Sequence, residues 1–387
     1  METSLVRAHR EGASSMRTGK DRLIAGLMLA PSLILLGIFV YGFIGQTVYV
    51  SLTDWGRGAS LALQPEITFV GLENYRQLFT GILDVRFRQD LVNMVFFSLI
   101  FVVACLGMGL FLATLLDRPL KGEGFFRTVF LLPMALSFVV TGTIWRWMLQ
   151  PRGGVNVLPT LVGLPRLEFL WTTSRQRVLQ FNWQAVPQGL ILLAAVVLIL
   201  LGVRAWRRGT RRKALLLGLP GLVAGAYVLL VGRGVNWSGL PFPETHGFNL
   251  ALIGIIIAAT WQMSGYTMAL YLAGLRGIPE ELREAAQVDG ASRLQIYRYV
   301  ELPLLKPITL SAVVVLGHIA LKIFDLIFAM SGPDNAMTSV PAILMYLTTF
   351  RGNQFAKGAA IATLLLLLVS LLIIPYMVST LRKGDEA

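Results

Sequence analysis

Carboxylates are scarce in this chain. Its 387 residues hold 21 Asp and Glu against 34 Lys and Arg, and charged residues make up 14% in all, where a soluble globular domain carries about 25%. Cysteine is all but missing: Cys105 stands alone inside an apolar run, so no disulfide can form within the chain. Three histidines, His9, His246 and His318, are too few and too scattered for a Cys/His metal site. No GxxxxGKS or GxxxxGKT occurs. Gly19 and Lys20 are adjacent, but Asp21 follows them and no glycine precedes them at the required distance. A GxSxG elbow and a carboxylate pair with a pocket to serve are absent as well. No catalytic residue, metal or cofactor is therefore expected, and the chain does not read as an enzyme.

What fills the chain is apolar: 55% of residues are hydrophobic and the mean hydropathy is +0.67. Eight windows approach the twenty or so apolar residues that a helix needs to cross about 30 Å of hydrocarbon: 23–50, 91–116, 128–149, 186–203, 214–231, 250–273, 308–330 and 359–381. The fold class expected is an all-α polytopic membrane protein of about eight transmembrane helices. The net charge of +13 does not point to nucleic acid, because the cations sort by side of the membrane. With the N-terminus inside, 21 of the 34 basic residues fall on cytoplasmic stretches, six of them in the turn RAWRRGTRRK at 204–213. The positive-inside rule places both termini in the cytoplasm of a multi-pass cell-membrane protein.

Three regions are expected. Residues 1–22 read as a basic cytoplasmic tail, and 23–90 as the first span with an external loop. Residues 91–385 read as the core, with a transmembrane hairpin inserted at 186–231 and a polar loop at 276–307. Inserting a pair of spans preserves the sidedness of everything after it. Gly221 and Gly225 in the hairpin form a small-xxx-small pair that allows a neighbouring helix to approach.

The polar island at 281–307 lies between two apolar runs. Pro279 suits a first helical turn, and Glu280 and Glu281 favour the positive end of a helix dipole. A helix through Leu282, Ala285, Ala286 and Val288 should then end at Gly290, which readily takes left-handed geometry. Ser292 with Gln295 makes a capping box for a second helix, and Pro303 and Pro307 close the segment. Two short helices joined at a glycine elbow are predicted.

Glu284-Ala285-Ala286, then Asp289-Gly290, then Leu302-Pro303, resemble the cytoplasmic coupling loop of permease subunits of bacterial ATP-binding-cassette importers. SLTDW at 51–55, FVGLENY at 69–75, FRTVFLLP at 126–133 and GTIWRWML at 142–149 are similar to the carbohydrate branch of that family. The stretches at 321–335 and 353–360 look like permeases for glucosides and short oligosaccharides. The resemblance implies alternating access driven by a cytoplasmic ATPase dimer. It also implies a second, different permease subunit, a periplasmic or surface solute-binding protein, and a sugar as cargo. Glu284 would anchor the loop electrostatically, Ala285 and Ala286 would permit close docking, and Asp289 would brace the elbow at Gly290. Leu302 and Pro303 would carry movement into the next span.

For the translocation route the candidates are His318, Lys322 and Asp325, whose spacings of four and three put them on one helix face, and Trp261, Gln262 and Tyr266. Ionisable groups inside a membrane are costly and mark pathways; aromatic faces with amides and hydroxyls suit sugar rings. The plainer reading of Lys322 and Asp325 is an ion pair locking helix packing. Used for proton coupling instead, the same pair would make the chain an ion-coupled secondary transporter.

Overall fold

The computed structural model describes residues 19–56, 67–118, 121–230, 232, 235–236 and 238–384. Most of the tail at 1–22 lies outside the described residues. Among these residues, six helices are long and apolar enough to cross a membrane, and two further pairs would qualify as bent spans. Each of the eight expected windows has its counterpart.

Helix α1 (Ile24–Ser51) presents nearly all its side chains outward. A short helix α2 (Glu73–Thr80) leads into α3 (Val85–Leu116), which packs along α8 (Leu252–Arg276) as the axis of the fold. Phe97, Phe101 and Cys105 of α3 and Leu252, Ile255 and Ala259 of α8 are buried together with Leu316 and Ala320 of α11 (Lys306–Leu321). The two axial helices touch closely enough for the Thr267 hydroxyl to donate to the Cys105 carbonyl at 2.8 Å. The long C-terminal helix α14 (Phe355–Gly384) lies against α1 and α11.

Two expected continuous spans are broken. The window 128–149 divides into α4 (Glu123–Ala135) and α5 (Phe138–Met148), inclined at 100°. Pro133 tightens the end of α4, Leu136 is extended, and the Ser137 side chain caps α5 by accepting from the Val140 amide. The window 308–330 divides into α11 and α12 (Asp325–Ser331), with Lys322 outside helical geometry at φ −116°. No glycine or proline marks this second break. Burial of Ile323, Leu326 and Ile327 in the core overrides helix propensity there, and Gly142 on α5 lets α12 come close: an added Cβ would lie 2.8 Å from the Ala329 Cβ.

The inserted hairpin is α6 (Val186–Arg207) and α7 (Arg211–Leu230), packed against one another. A two-stranded antiparallel ribbon unforeseen in the sequence brackets it, β1 (Arg177–Asn182) paired with β2 (Thr245–Asn249). Gly221 serves contact within the hairpin, facing Ala195 and Leu198 of α6. Fully buried Arg88 at the start of α3 pins the ribbon through Glu244, with Nε to Oε2 at 2.7 Å and NH2 to Oε1 at 3.2 Å. The α6–α7 turn is separated from the ribbon by the length of two helices long enough to cross a membrane.

Motifs at 51–55 and 69–75 fold onto each other beside the ribbon end. The Asn74 amide donates to the carbonyls of Ser51 and Thr53 at 2.8 and 2.7 Å, and the Ser51 and Tyr75 hydroxyls are 2.6 Å apart. Trp55 packs on Phe355 with ring centroids 5.0 Å apart, tying this clasp to α14.

Candidate functional site

The polar island folds as its local signals predict. Helix α9 (Glu280–Val288) ends at Asp289, Gly290 takes φ +79°, and the Ser292/Gln295 capping box opens α10 (Arg293–Leu304). The Asp289 amide donates to the Ala285 carbonyl and the Ala291 amide to that of Ala286, closing the end of α9. Leu302 and Pro303 form the last turn of α10, which meets α11 at a 61° bend over buried Leu305.

No residue of α9 is buried, and Val288 is 87% exposed. Ala285, Asp289 and Gly290 are exposed and Ala286 is half-buried, so a face of small side chains is presented outward. The expected anchor, Glu284, is exposed and forms no ion pair among the described residues. Its neighbour Arg283 holds the loop within this chain. Arg283 Nε lies 2.9 Å from Glu301 Oε1 on α10, while NH2 reaches Asp117 Oδ2 at 3.3 Å and the Leu275 carbonyl at 3.0 Å. Position 283 thus joins four segments, the ends of α3 and α8 with α9 and α10. Arg276 adds an ion pair to Glu123 at 2.6 Å. A cavity of about 670 Å³ opens between the end of α3 and this loop, with Asp117, Arg283, Tyr297 and Glu301 on its walls.

The expected pathway residues divide between the two breaks. Trp261 meets Trp145 of α5 edge to face with centroids 5.8 Å apart, and Tyr266 is half-buried one turn along α8. The Gln262 side chain is buried, and its Nε2 donates to the Leu136 carbonyl at 2.7 Å. That bond satisfies a backbone group released by the α4–α5 break, which hydrocarbon could not satisfy. His318, Lys322 and Asp325 do not share one helix face, because α11 stops at Leu321 and Asp325 begins α12, where a carboxylate suits the positive helix end. Lys322 and Asp325 are both exposed and form no ion pair with each other among the described residues. His318 Nδ1 is buried with no hydrogen-bond partner among the described residues.

Beside this second break lies an aromatic cluster that the sequence reading missed. Phe324 and Phe328 meet Tyr346 of α13 (Pro341–Tyr346) with centroids 5.6 and 5.5 Å apart, and Phe350 follows at 5.6 Å from Tyr346. The spacing of 324 and 328 was the available signal; the partners come from a separate element.

The ribbon end holds a second polar centre. Asn93 links Ser339 and Asn249, Ser339 donates to Asp90 at 2.8 Å, and His246 Nδ1 lies 3.0 Å from Gln89 Oε1. Burial pushes the His246 imidazole below its ordinary value, with Arg88 and Arg177 acting the same way against the pull of Glu244.

Residues 214–383 match the family of binding-protein-dependent transport system inner membrane components. Over 373 residues the chain is 38% identical to a probable ABC transporter permease protein of Pyrococcus horikoshii, covering 96% of this chain and 100% of that protein. The chain belongs to the binding-protein-dependent ABC transporter permeases. The permease is also 33% identical to a xylose/arabinose import permease protein of Haloferax volcanii, over 91% of its own length and 86% of that protein. Its fold is similar to a chain in the crystal structure of a bacterial ABC transporter that imports alginate, with a TM-score of 0.59, 19% identity, and coverage of 94% of the permease and 96% of that chain. It is accordingly a multi-pass membrane protein. Membership of this family answers the ion-coupled alternative; Lys322 and Asp325 are both exposed.

Proposed function

We propose that this permease forms one half of the translocation pathway of an ATP-driven sugar importer and couples to a separate ATPase dimer through α9. The observation that carries this reading is the contrast within one loop. No residue of helix α9 is buried, yet Arg283 fastens its root to α3, α8 and α10. A surface displayed outward on a rigid mount transmits force; a mobile loop would absorb it. Glu284, Ala285, Ala286, Asp289 and Gly290 are then the docking residues. Leu302 and Pro303 lie at the bend where α10 hands its motion to α11.

The route for solute runs past the two breaks, with Trp261 and Tyr266 on one side and His318, Lys322, Asp325 and the Phe324, Phe328, Tyr346 and Phe350 rings on the other. Broken helices recur at the binding sites of transporters, and aromatic faces suit the apolar faces of sugars. The names of the relatives support this class of cargo: one imports xylose and arabinose, and another, 28% identical, is an alpha-glucoside transport system permease of Rhizobium meliloti. Residues 91–385 make up the core with its inserted hairpin, both termini face the cytoplasm, and a second, different permease subunit completes the pathway. A solute-binding protein docks at the ribbon end.

Reconstitution tests this directly. In proteoliposomes holding this permease, its partner subunit and the ATPase, sugar uptake is expected only with ATP and the solute-binding protein. Uptake by this chain alone on a proton gradient overturns the reading.

A further inference from the structure

The α6–α7 hairpin carries a feature that coupling and translocation leave unused. Its turn bears Arg204, Arg207, Arg208, Arg211, Arg212 and Lys213, all exposed, and no Asp or Glu occurs anywhere between positions 168 and 244. Among the described residues none of the six cations has an ion-pair partner. A topogenic signal needs only the charge. Here Arg207 of that turn lines a groove of about 310 Å³ running down the hairpin, with Ile199, Gly202, Val203, Trp206 and Leu222 among its other walls. Its floor is backbone against backbone: a Cβ added at Gly202 would come 2.8 Å from the Gly218 Cα. At its mouth stands exposed Trp206, with the Arg211 guanidinium 5.9 Å from the ring centroid. An apolar slot with a tryptophan at its mouth and a cationic rim matches an amphiphile with an acyl chain and an anionic head.

We propose that this groove is a binding site for an anionic phospholipid of the cytoplasmic leaflet. Its acyl chain lies along Val203 and Leu222, and its phosphate lies among Arg207, Arg208 and Arg211. Basic pockets between transmembrane helices on this side of a membrane recognise such headgroups, and each cation near the surface adds about 1 kcal/mol, roughly fivefold in affinity. The choice of leaflet rests on the cytoplasmic N-terminus proposed above, from which four spans lead to the turn; the site itself rests on the groove and its charges.

Native mass spectrometry of the full chain, equilibrated with phosphatidylglycerol or phosphatidylcholine in mild detergent, tests the proposal. Retention of phosphatidylglycerol over phosphatidylcholine is expected. It should fall by roughly fivefold per cation removed in Arg207→Gln and Arg211→Gln, persist in Arg207→Lys, and fall in Val203→Trp, which fills the slot. Equal retention of the two lipids overturns the site. So does unchanged retention in the glutamine variants, displacement by inorganic phosphate alone, or an acidic protein segment found in the lipid's place. Separately, Thr210→Cys in a Cys105→Ser background should resist a membrane-impermeant maleimide added to intact cells. Labelling there overturns the leaflet assignment and the topology beneath it, whatever the lipid retention shows.

Discussion

Gln262 of α8 donates to the Leu136 carbonyl at 2.7 Å, across the point where the third span turns through 100°. A broken helix in hydrocarbon survives only when its released backbone groups find partners inside the protein. Gln262→Leu keeps the volume and removes the donor, leaving a partly buried carbonyl unpaired at a cost of about 1 kcal/mol. A lowered unfolding midpoint of the purified protein is expected, with transport reduced at normal membrane insertion. An unchanged midpoint would show that the break needs no such support.

At the elbow, Gly290 has φ +79° while an added Cβ there would meet nothing. Substitution therefore acts through the backbone alone. Gly290→Val is expected to cost roughly 1–2 kcal/mol in the left-handed region and to lower recovery of the ATPase in co-purification. Gly290→Asn, which tolerates that geometry better, should be milder. Equal recovery with both variants would separate the elbow from ATPase docking.

Arg283 gives a paired test. Arg283→Ala removes the ion pairs to Asp117 and Glu301 together, so ATPase stimulation by solute-loaded binding protein should fall while ATPase binding to exposed α9 persists. Glu301→Gln should give part of the same loss. Additive effects in the double variant would deny that the two residues share one brace.

Gly142 allows α12 to lie on α5. In Gly142→Leu even the first carbon sits 2.8 Å from the Ala329 Cβ, and overpacking of this kind costs about 1–3 kcal/mol. Loss of transport with normal insertion is expected, and Ala329→Gly should restore part of it. Failure of that rescue would place the strain elsewhere.

The ribbon end should respond to acid. Burial holds the His246 imidazole below the ordinary histidine value of 6.5, so the folded state favours the neutral ring. The stability tied to this group is present above about pH 6.5 and is lost as pH falls through the depressed folded value. The unfolding midpoint should drop on acidification below pH 6.5, with a shallower slope in His246→Gln. Identical slopes would remove His246 from the account.

Much of this was legible in short sequence windows. The elbow, its capping box and the extent of α9 depend on neighbours within four residues, and Gly290 and Ser292 announce them. The breaks at Leu136 and Lys322 depend on partners more than a hundred residues away, Gln262 for one and Gly142 for the other. Apolar periodicity therefore read both spans as continuous. The same holds for the start of α3. Arg88 and Asp90 fall in the stretch read as external loop because they are polar, and Asn93 in the apolar window after it, yet Glu244, Ser339 and Asn249 satisfy all three inside the fold. Glu284 stands out by its charge and its place in a motif, whereas the ties that hold the loop within this chain come from Arg283, one residue earlier, and need partners at 117, 275 and 301 that no local window shows.

The ribbon around the inserted hairpin has a consequence for how such a chain tolerates change. Asn182 is the register partner of Thr245, and the Trp183 amide donates to the Glu244 carbonyl at 2.7 Å. The chain thus leaves the core and re-enters it through the same doorway. An excursion closed in this way is a pendant: a change of length within it leaves the frame it hangs from in register.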